Sequence, residues 1–205
     1  MRILLIGSKG QLGSELNNSL RNYGEIIDSD RSKLDLENFE KIPPYIEQIN
    51  PAIIINASAY TNVEEAENNK NLASKINYEA VSVLAEISKK LNILLIHFST
   101  DYVFDGTKNE PYLEDDLPCP INIYGETKLD GEKAIQESGC NYYIFRVSWL
   151  IGKYGSNFAK KIIYAAKNKE NLKVINDQKG VPTSPRLISE VMSNLIKNYK
   201  TNLRW

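Results

Sequence analysis

A chain of 205 residues can bury a full core as one domain, or as one domain with a small lobe, and is too short for two large domains. Its 25 basic and 26 acidic side chains are interspersed and leave a net charge of -1, so neither a nucleic acid nor a membrane surface has a bulk electrostatic reason to bind. A small or anionic metabolite remains open as the ligand.

The first apolar run, residues 3–6, leads directly into glycine and reads as a buried strand, not as a signal peptide or membrane span. A cytoplasmic protein is the expectation. Short runs rich in Ile, Leu, Val and aromatics follow at 53–55, 93–98, 142–147 and 172–175, with a further strand candidate at 25–28. Between them Leu72, Ile76, Ala80, Val83, Leu84, Ile87 and Leu91 form one apolar stripe at helical spacing. Other helix-compatible stretches lie at 12–20, 124–137, 158–166 and 187–196. Alternating strand and helix imply a parallel sheet with right-handed crossovers. Pro43-Pro44 and Asn50-Pro51 mark where a helix must stop before the strand at 53, and the polar, proline-bearing segment 108–120 reads as a surface loop. Cys119 and Cys140 have neither metal-ligand nor disulfide spacing and fit a reduced compartment.

Gly7-x-x-Gly10-x-x-Gly13 lies between the first strand and the first helix-compatible stretch, the context that a dinucleotide fingerprint requires. Glycines there allow a tight turn, close approach of a pyrophosphate to the backbone, and close packing of helix on strand. The three-and-three spacing differs from the Gly-x-Gly-x-x-Gly form, and an ordinary glycine turn is the alternative. Downstream, Ser29-Asp30-Arg31-Ser32-Lys33 falls where an adenosine ribose would lie. An acid at that strand end suits the free ribose hydroxyls of NAD, a basic side chain the additional phosphate of NADP. Both are present; Arg31, with Lys9 and Lys33, tilts the reading towards NADPH and leaves NADH open, while a solvated charged loop accounts for the same residues.

Tyr124 and Lys128 are the chain's single Tyr-x-x-x-Lys pair, a spacing that 12 tyrosines would supply by chance. Placement gives it weight: it opens a helix-compatible stretch after a strand that ends in Ser99-Thr100-Asp101-Tyr102. A carbonyl reductase needs a hydride source, an acid for the developing alkoxide, and a group that makes the acid competent. Tyrosine, with an ordinary pKa of about 10, can be that acid, and a neighbouring ammonium favours its phenolate. Positions i and i+4 share a helix face, so Tyr124 and Lys128 can address one cleft. Lys128 can also hold ribose hydroxyls, and Thr100, at a strand's carboxyl end, can donate to the substrate carbonyl oxygen. His97, the sole histidine, sits inside an apolar run and reads as a hydrogen-bonded core residue before a catalytic one. Glu114-Asp115-Asp116 has no partner histidines, so no catalytic metal is expected. Trp149 is open between a core role and stacking on a sugar or base.

Taken with Ile55-Asn-Ala-Ser-Ala-Tyr-Thr-Asn-Val63, Phe98-Ser-Thr-Asp-Tyr-Val-Phe104, Tyr124-Gly-Glu-Thr-Lys-Leu-Asp-Gly-Glu132, Phe145-Arg-Val-Ser-Trp149 and Asn176-Asp-Gln-Lys-Gly-Val-Pro-Thr183, in that order along almost the whole chain, these motifs resemble the dTDP-4-dehydrorhamnose reductases of the extended short-chain dehydrogenase/reductase superfamily. The resemblance implies an α/β fold, a Rossmann-like doubly wound parallel sheet, with residues 1–147 as the dinucleotide-binding domain and 148–205 as a small, incomplete C-terminal substrate lobe packed on it. It implies NADPH- or NADH-dependent reduction of dTDP-4-dehydro-L-rhamnose to dTDP-L-rhamnose. By position, Tyr124 is the proton donor, Lys128 its partner and Thr100 the carbonyl-polarising hydroxyl. Gly10, Gln11, Leu12, Asp30, Asp35, Leu36, Ala59, Tyr60 and Thr61 are implied cofactor contacts beside Gly7, Gly13 and Arg31, and Asp101 and Trp149 are implied substrate contacts, with Thr100 and Tyr102 on the same side.

Related sugar-nucleotide dehydratases follow this threonine with Asp-Glu; Tyr102 here argues for reduction over dehydration. Family members run well past Asn202-Leu-Arg-Trp205, which places substrate affinity in question. Some hold Mg2+ at a dimer interface, and the sequence settles neither that ion nor a homodimer. A non-catalytic NADP-binding regulatory subunit, like the beta subunit associated with methionine adenosyltransferase, is the alternative.

Overall fold

The computed structural model describes residues 1–168, 171 and 173–202, with side chains as far as 199. Five strands, β1 (Arg2–Ile6), β2 (Glu25–Ser29), β3 (Ile53–Asn56), β4 (Leu94–Thr100) and β5 (Asn141–Val147), form one parallel sheet in the order β2-β1-β3-β4-β5. Ile3 pairs with Ile26 on one side and Ile53 on the other, and β4 runs alongside β5 from Leu94–Asn141 to Thr100–Val147. After β2 the chain crosses back over β1 to lay down β3. The order therefore reverses between β1 and β3, and a crevice opens there at the carboxyl ends of the strands.

Period-two alternation along β1, β3 and β4 divides the core into two layers. Leu4, Ile6, Ile54 and Leu95 face α2 (Ile42–Ile49) and α5 (Ala80–Leu91), joined by Ile135 of α6 (Ile123–Ser138). Ile3, Leu5, Ile53, Ile55, Leu94 and Ile96 face the other way, against Leu12 and Leu16 of α1 (Gln11–Ser19) and Ile188, Met192 and Ile196 of α8 (Pro185–Asn202). The sheet is thus doubly wound, and burial on both faces explains why its central strands read as continuous apolar runs. Pro43 and Pro44 stand at the start of α2, where no intrahelical N–H is needed, and Asn50 ends that helix in the left-handed conformation at φ 48°.

The stripe from Leu72 to Leu91 is not carried by one continuous α-helix. After α3 (Val63–Asn68), α4 (Lys70–Ser74) passes through a π-helical turn at Lys75–Glu79 before α5 begins. The extra residue in that turn rotates the inward face, so Ala73, Asn77, Ala80, Val81, Leu84 and Ala85 are buried while Leu72, Ile76 and Val83 are only partly so. The strand expected at 172–175 is also absent where it can be seen: Leu172 lies outside the described residues, and 173–175 form no strand, with Val174 and Ile175 more than half exposed. Among the described residues no strand pairs with that run. The segment after β5 is instead tied back by a parallel bridge between Leu150 and Thr183. α7 (Phe158–Lys167) buries Ala165 and leaves Phe158, Ile163 and Tyr164 exposed.

Candidate active site

The glycine loop joins β1 to α1 under tight steric limits. Gly7 adopts φ 77°, and a β-carbon on it would lie 2.9 Å from the Ala57 carbonyl and the Ser58 nitrogen. On Gly13 a β-carbon would come within 2.1 Å of the Gly7 carbonyl oxygen. Neither position accepts a side chain without moving backbone. Gly10 caps α1 with no side-chain hydrogen bond, so the first N–H groups of that helix keep their capacity to receive an anion. Beside the loop a cleft of about 150 Å³ is lined by Gly7, Asp30, Arg31, Asp35, Leu36, Ser58, Ala59 and Ile76, among others. A concave site with a glycine edge and an uncapped helix terminus fits a dinucleotide.

Several expected contacts carry a structural duty as well. Leu12 is buried in the core, and the Gln11 amide is spent on its neighbours, donating to the Leu150 carbonyl and accepting from the Gly152 N–H and Asn157 Nδ2. Both can meet a phosphate only through the backbone. Each cation near the ribose end is paired: Lys9 with Asp30, Arg31 with Asp35 and Glu37, and Lys33 with Asp28. The hydrogen bonds from Lys9 and then Ser32 hold the Asp30 carboxyl well below the usual carboxylate range. Thr61 is exposed, and Tyr60 is held by its backbone, its N–H donating to Asn77 Oδ1 and its carbonyl accepting from Asn77 Nδ2.

Asn77 was not singled out by its residue type, and it links the two halves of the site. From the π-helical turn its amide also donates to Thr127 Oγ1 on α6, so the Ala59–Thr61 loop and the Tyr124 helix share one buried clamp. The signal in the sequence was a polar residue within an apolar stripe.

At the carboxyl end of β4, Thr100 accepts a hydrogen bond from the Tyr102 N–H and donates to Asp101 Oδ1. A single turn of 3-10 helix, Asp101–Val103, follows. Asn122 caps α6 by accepting from the Gly125 N–H, and Tyr124 stands in the first turn. Its ring meets that of Tyr102 edge-to-face at 5.6 Å. Burial pushes the Tyr124 phenol up to about 12; a hydrogen bond with Thr100 works in the other direction, and Asp101 and Tyr102 add to the rise. Burial likewise raises the Asp101 carboxyl. Thr100, Asp101, Tyr102 and Tyr124 are therefore brought together as one corner.

Lys128 departs from the expected arrangement. It is 1% exposed, and its Nζ lies 2.7 Å from the Phe98 carbonyl oxygen, to which it donates, and 3.1 Å from His97 Nε2. Burial lowers its pKa to about 8 despite the Glu132 carboxylate one turn on. The ammonium expected to acidify Tyr124 is thus directed into the sheet, and the phenol lies above its ordinary value, not below it. His97 is fully buried and hydrogen-bonded, as its place in an apolar strand suggested, but one of its partners is Lys128.

Trp149, two residues beyond β5, adopts φ 39° and is 41% exposed, with its ring over Gly180, where a β-carbon would lie 2.6 Å from the indole. It leaves the sheet at the same end as Thr100, since Val147 is the register partner of Thr100. Arg146 forms a forked pair with buried Glu132 of α6, fixing that helix to the edge strand. Among the described residues no group of three or more His, Cys, Asp and Glu side chains is placed to hold a metal ion, and no helix is long and apolar enough to cross a membrane.

Compared with known proteins, residues 1–204 match the family model described as RmlD substrate binding domain. The chain is 42% identical over 201 residues to dTDP-4-dehydrorhamnose reductase of Escherichia coli, covering 96% of this chain and 67% of that protein. It belongs to the dTDP-4-dehydrorhamnose reductase family. The family relative from Burkholderia thailandensis is also 42% identical, over 93% of this chain and 64% of its own length. The chain thus spans about two thirds of the length of these reductases. The dTDP-4-dehydrorhamnose reductase of Bacillus anthracis, solved in complex with NADP, superposes with a TM-score of 0.91 at 38% identity, over 96% of this chain and 70% of that one. The doubly wound sheet is accordingly that of a dTDP-4-dehydrorhamnose reductase family member.

Proposed function

We propose that this protein reduces the 4-keto group of dTDP-4-dehydro-L-rhamnose to give dTDP-L-rhamnose, with NADPH as reductant and NADH as an alternative. The observation that carries the reading is the meeting of Thr100 and Tyr124 at the carboxyl end of β4, on the same sheet end as the glycine-edged cleft. A reduced nicotinamide supplies hydride to the carbonyl carbon when bound. Gly7, Gly10 and Gly13 admit its pyrophosphate to the N-terminus of α1, with backbone N–H groups of Gln11 and Leu12 as donors. Asp30, Arg31, Asp35 and Leu36 frame the adenosine end; Ala59, Tyr60 and Thr61 border the cleft between β1 and β3.

Thr100 Oγ1, on turning its proton away from Asp101, donates to the carbonyl oxygen, and Tyr124 transfers the phenolic proton to the oxygen as charge develops there. A phenol held high by burial stays protonated until that charge appears. Its acidity then depends on Lys128 placing positive charge nearby, a contact that the Phe98 and His97 hydrogen bonds oppose. Asp101, Tyr102 and Trp149 frame the sugar side, and residues 148–205 belong to the start of the sugar-nucleotide lobe. A cytoplasmic setting fits this chemistry. The intact Tyr124, Lys128 and Thr100 favour the enzyme over a regulatory subunit.

The test is to incubate the chain with dTDP-4-dehydro-L-rhamnose and NADPH or NADH and identify the sugar nucleotide formed. Conversion to dTDP-L-rhamnose is expected. A folded, dinucleotide-binding protein that forms none contradicts the reading.

A further inference from the structure

Behind the catalytic corner the Ser58 amide and three buried side chains form a line that the reduction does not itself require. The Ser58 N–H donates to Asn56 Oδ1 at 3.1 Å, Asn56 Nδ2 lies 3.1 Å from His97 Nδ1, and His97 Nε2 lies 3.1 Å from Lys128 Nζ. Asn56, His97 and Lys128 are each no more than 1% exposed, so water cannot relax the arrangement.

The line has one consistent direction. The Ser58 amide must meet an acceptor, which fixes Oδ1 towards Ser58 and leaves the Asn56 NH2 facing His97 Nδ1. Nδ1 must then accept. A buried imidazole, which desolvation keeps neutral, carries one proton, and it stands on Nε2. That N–H points at Nζ. An ammonium has three donors and no acceptor; only the neutral amine offers a lone pair.

We propose that His97 is a positioning residue for Lys128: held by Asn56 and the Ser58 amide as the Nε2-protonated tautomer, it donates to Nζ and keeps Lys128 as a neutral amine while Nζ rests against β4. Protonation of Lys128 requires Nζ to give up the His97 hydrogen bond. The residue that assists Tyr124 is thereby kept uncharged in this arrangement by a chain of hydrogen bonds that begins in the Ala57–Ser58 segment against Gly7.

Other charged groups around α6 do not supply this effect. Glu132, on the same helix, favours the ammonium and is itself paired with Arg146 of β5. Asp101 and Tyr102 bear on Tyr124. Glu67 of α3 receives the Ile123 N–H, Glu79 of the π-helical turn receives Ser74, and Glu86, Lys89 and Lys90 of α5 are exposed. Asn77, which reaches α6 from that turn, carries no charge.

Because His97 is the only histidine, a long-range proton–nitrogen correlation spectrum of the nitrogen-15-labelled protein reports a single imidazole. The neutral Nε2-protonated form is expected at pH 9, above the value of about 8 to which burial brings Lys128; an Nδ1-protonated form or an imidazolium at that pH overturns the proposal. Asn56→Asp keeps the Ser58 contact and offers a second carboxylate oxygen to Nδ1–H, so the tautomer should invert and Nε2 should accept from an ammonium. Retention of the wild-type tautomer in that folded variant contradicts the proposed polarity, and the wild-type spectrum decides the matter if the variant does not fold. The effect on catalysis rests on the reduction proposed above: the pH at which kcat declines on the alkaline side should move up by about one unit in Asn56→Asp, about tenfold in proton affinity. An unmoved limb sinks the catalytic role; a protein without turnover defeats the functional reading and leaves the tautomer measurement standing.

Discussion

A β-carbon on Gly125 would lie 2.1 Å from the Tyr102 carbonyl oxygen. The start of α6 therefore rests directly on the turn that follows Thr100, and this contact sets the distance between Tyr124 and Thr100. Gly125→Ala must push the two apart. Since a misplacement of about 1 Å can cost about 100-fold in rate, we expect kcat to fall by about that factor while NADPH affinity, measured by fluorescence titration, changes much less. Wild-type kcat in the variant would show that this contact does not set the catalytic spacing.

At the other end of the site, Gly13→Ala drives a methyl group into the Gly7 carbonyl. Overpacking of this kind costs about 1–3 kcal/mol. A lower urea midpoint together with weaker NADPH binding is expected; loss of stability alone would mean that the loop can shift without disturbing its ligand.

In the proposed reading, cofactor choice depends on charges that are already paired. Arg31 must leave Asp35 and Glu37 to meet the additional phosphate of NADPH. Glu37→Gln removes one competitor, and an exposed ion pair is a weak one, so NADPH should bind about twofold to fivefold more tightly with NADH affinity unchanged. Parallel titrations with the two dinucleotides check this, and an equal gain for both would remove Arg31 from the discrimination.

Buried His97 and Lys128 give stability a predictable pH dependence. His97 lies well below its ordinary 6.5 because it is desolvated; the unfolded chain takes up that proton more readily, so stability is full above pH 6.5 and declines as pH falls below it. Lys128 stands at about 8 against 10.5. The unfolded state again binds more protons between those values, so stability should rise from pH 8 towards 10 by an amount on the order of 3 kcal/mol. Tyr124, raised to about 12, brings the opposite trend above pH 10. Urea unfolding from pH 5 to 10 measures both limbs, and Lys128→Met should flatten the alkaline one. A wild-type curve that is already flat from 8 to 10 would contradict the burial of an ionisable Lys128.

Much of this was legible in the chain itself. Strands buried on both faces announce themselves as apolar runs, and β1, β3 and β4 fall where those runs lie. Gly7, Asp30, Arg31, Asp35, Leu36 and Ala59, distant in sequence, line one cleft. What escaped depends on contacts between elements. The π-helical turn displaces a stripe by one residue, which no fixed period reveals, and it is what buries Asn77. Gly125 matters only because the Tyr102 carbonyl stands over it. The 172–175 run has strand composition but pairs with no strand among the described residues, and the direction of Lys128 follows from His97 and Phe98, which the i, i+4 relation to Tyr124 does not contain.

The central claim is that Tyr124 protonates the reduced carbonyl oxygen. Its most direct test compares wild type with Tyr124→Phe in the oxidation of NADPH by dTDP-4-dehydro-L-rhamnose, followed by loss of the reduced-nicotinamide absorbance, with NADPH affinity measured on both. Removal of a general acid costs about 100-fold to 10,000-fold; we expect kcat to fall within that range at unchanged NADPH affinity. Full activity in Tyr124→Phe would contradict the account.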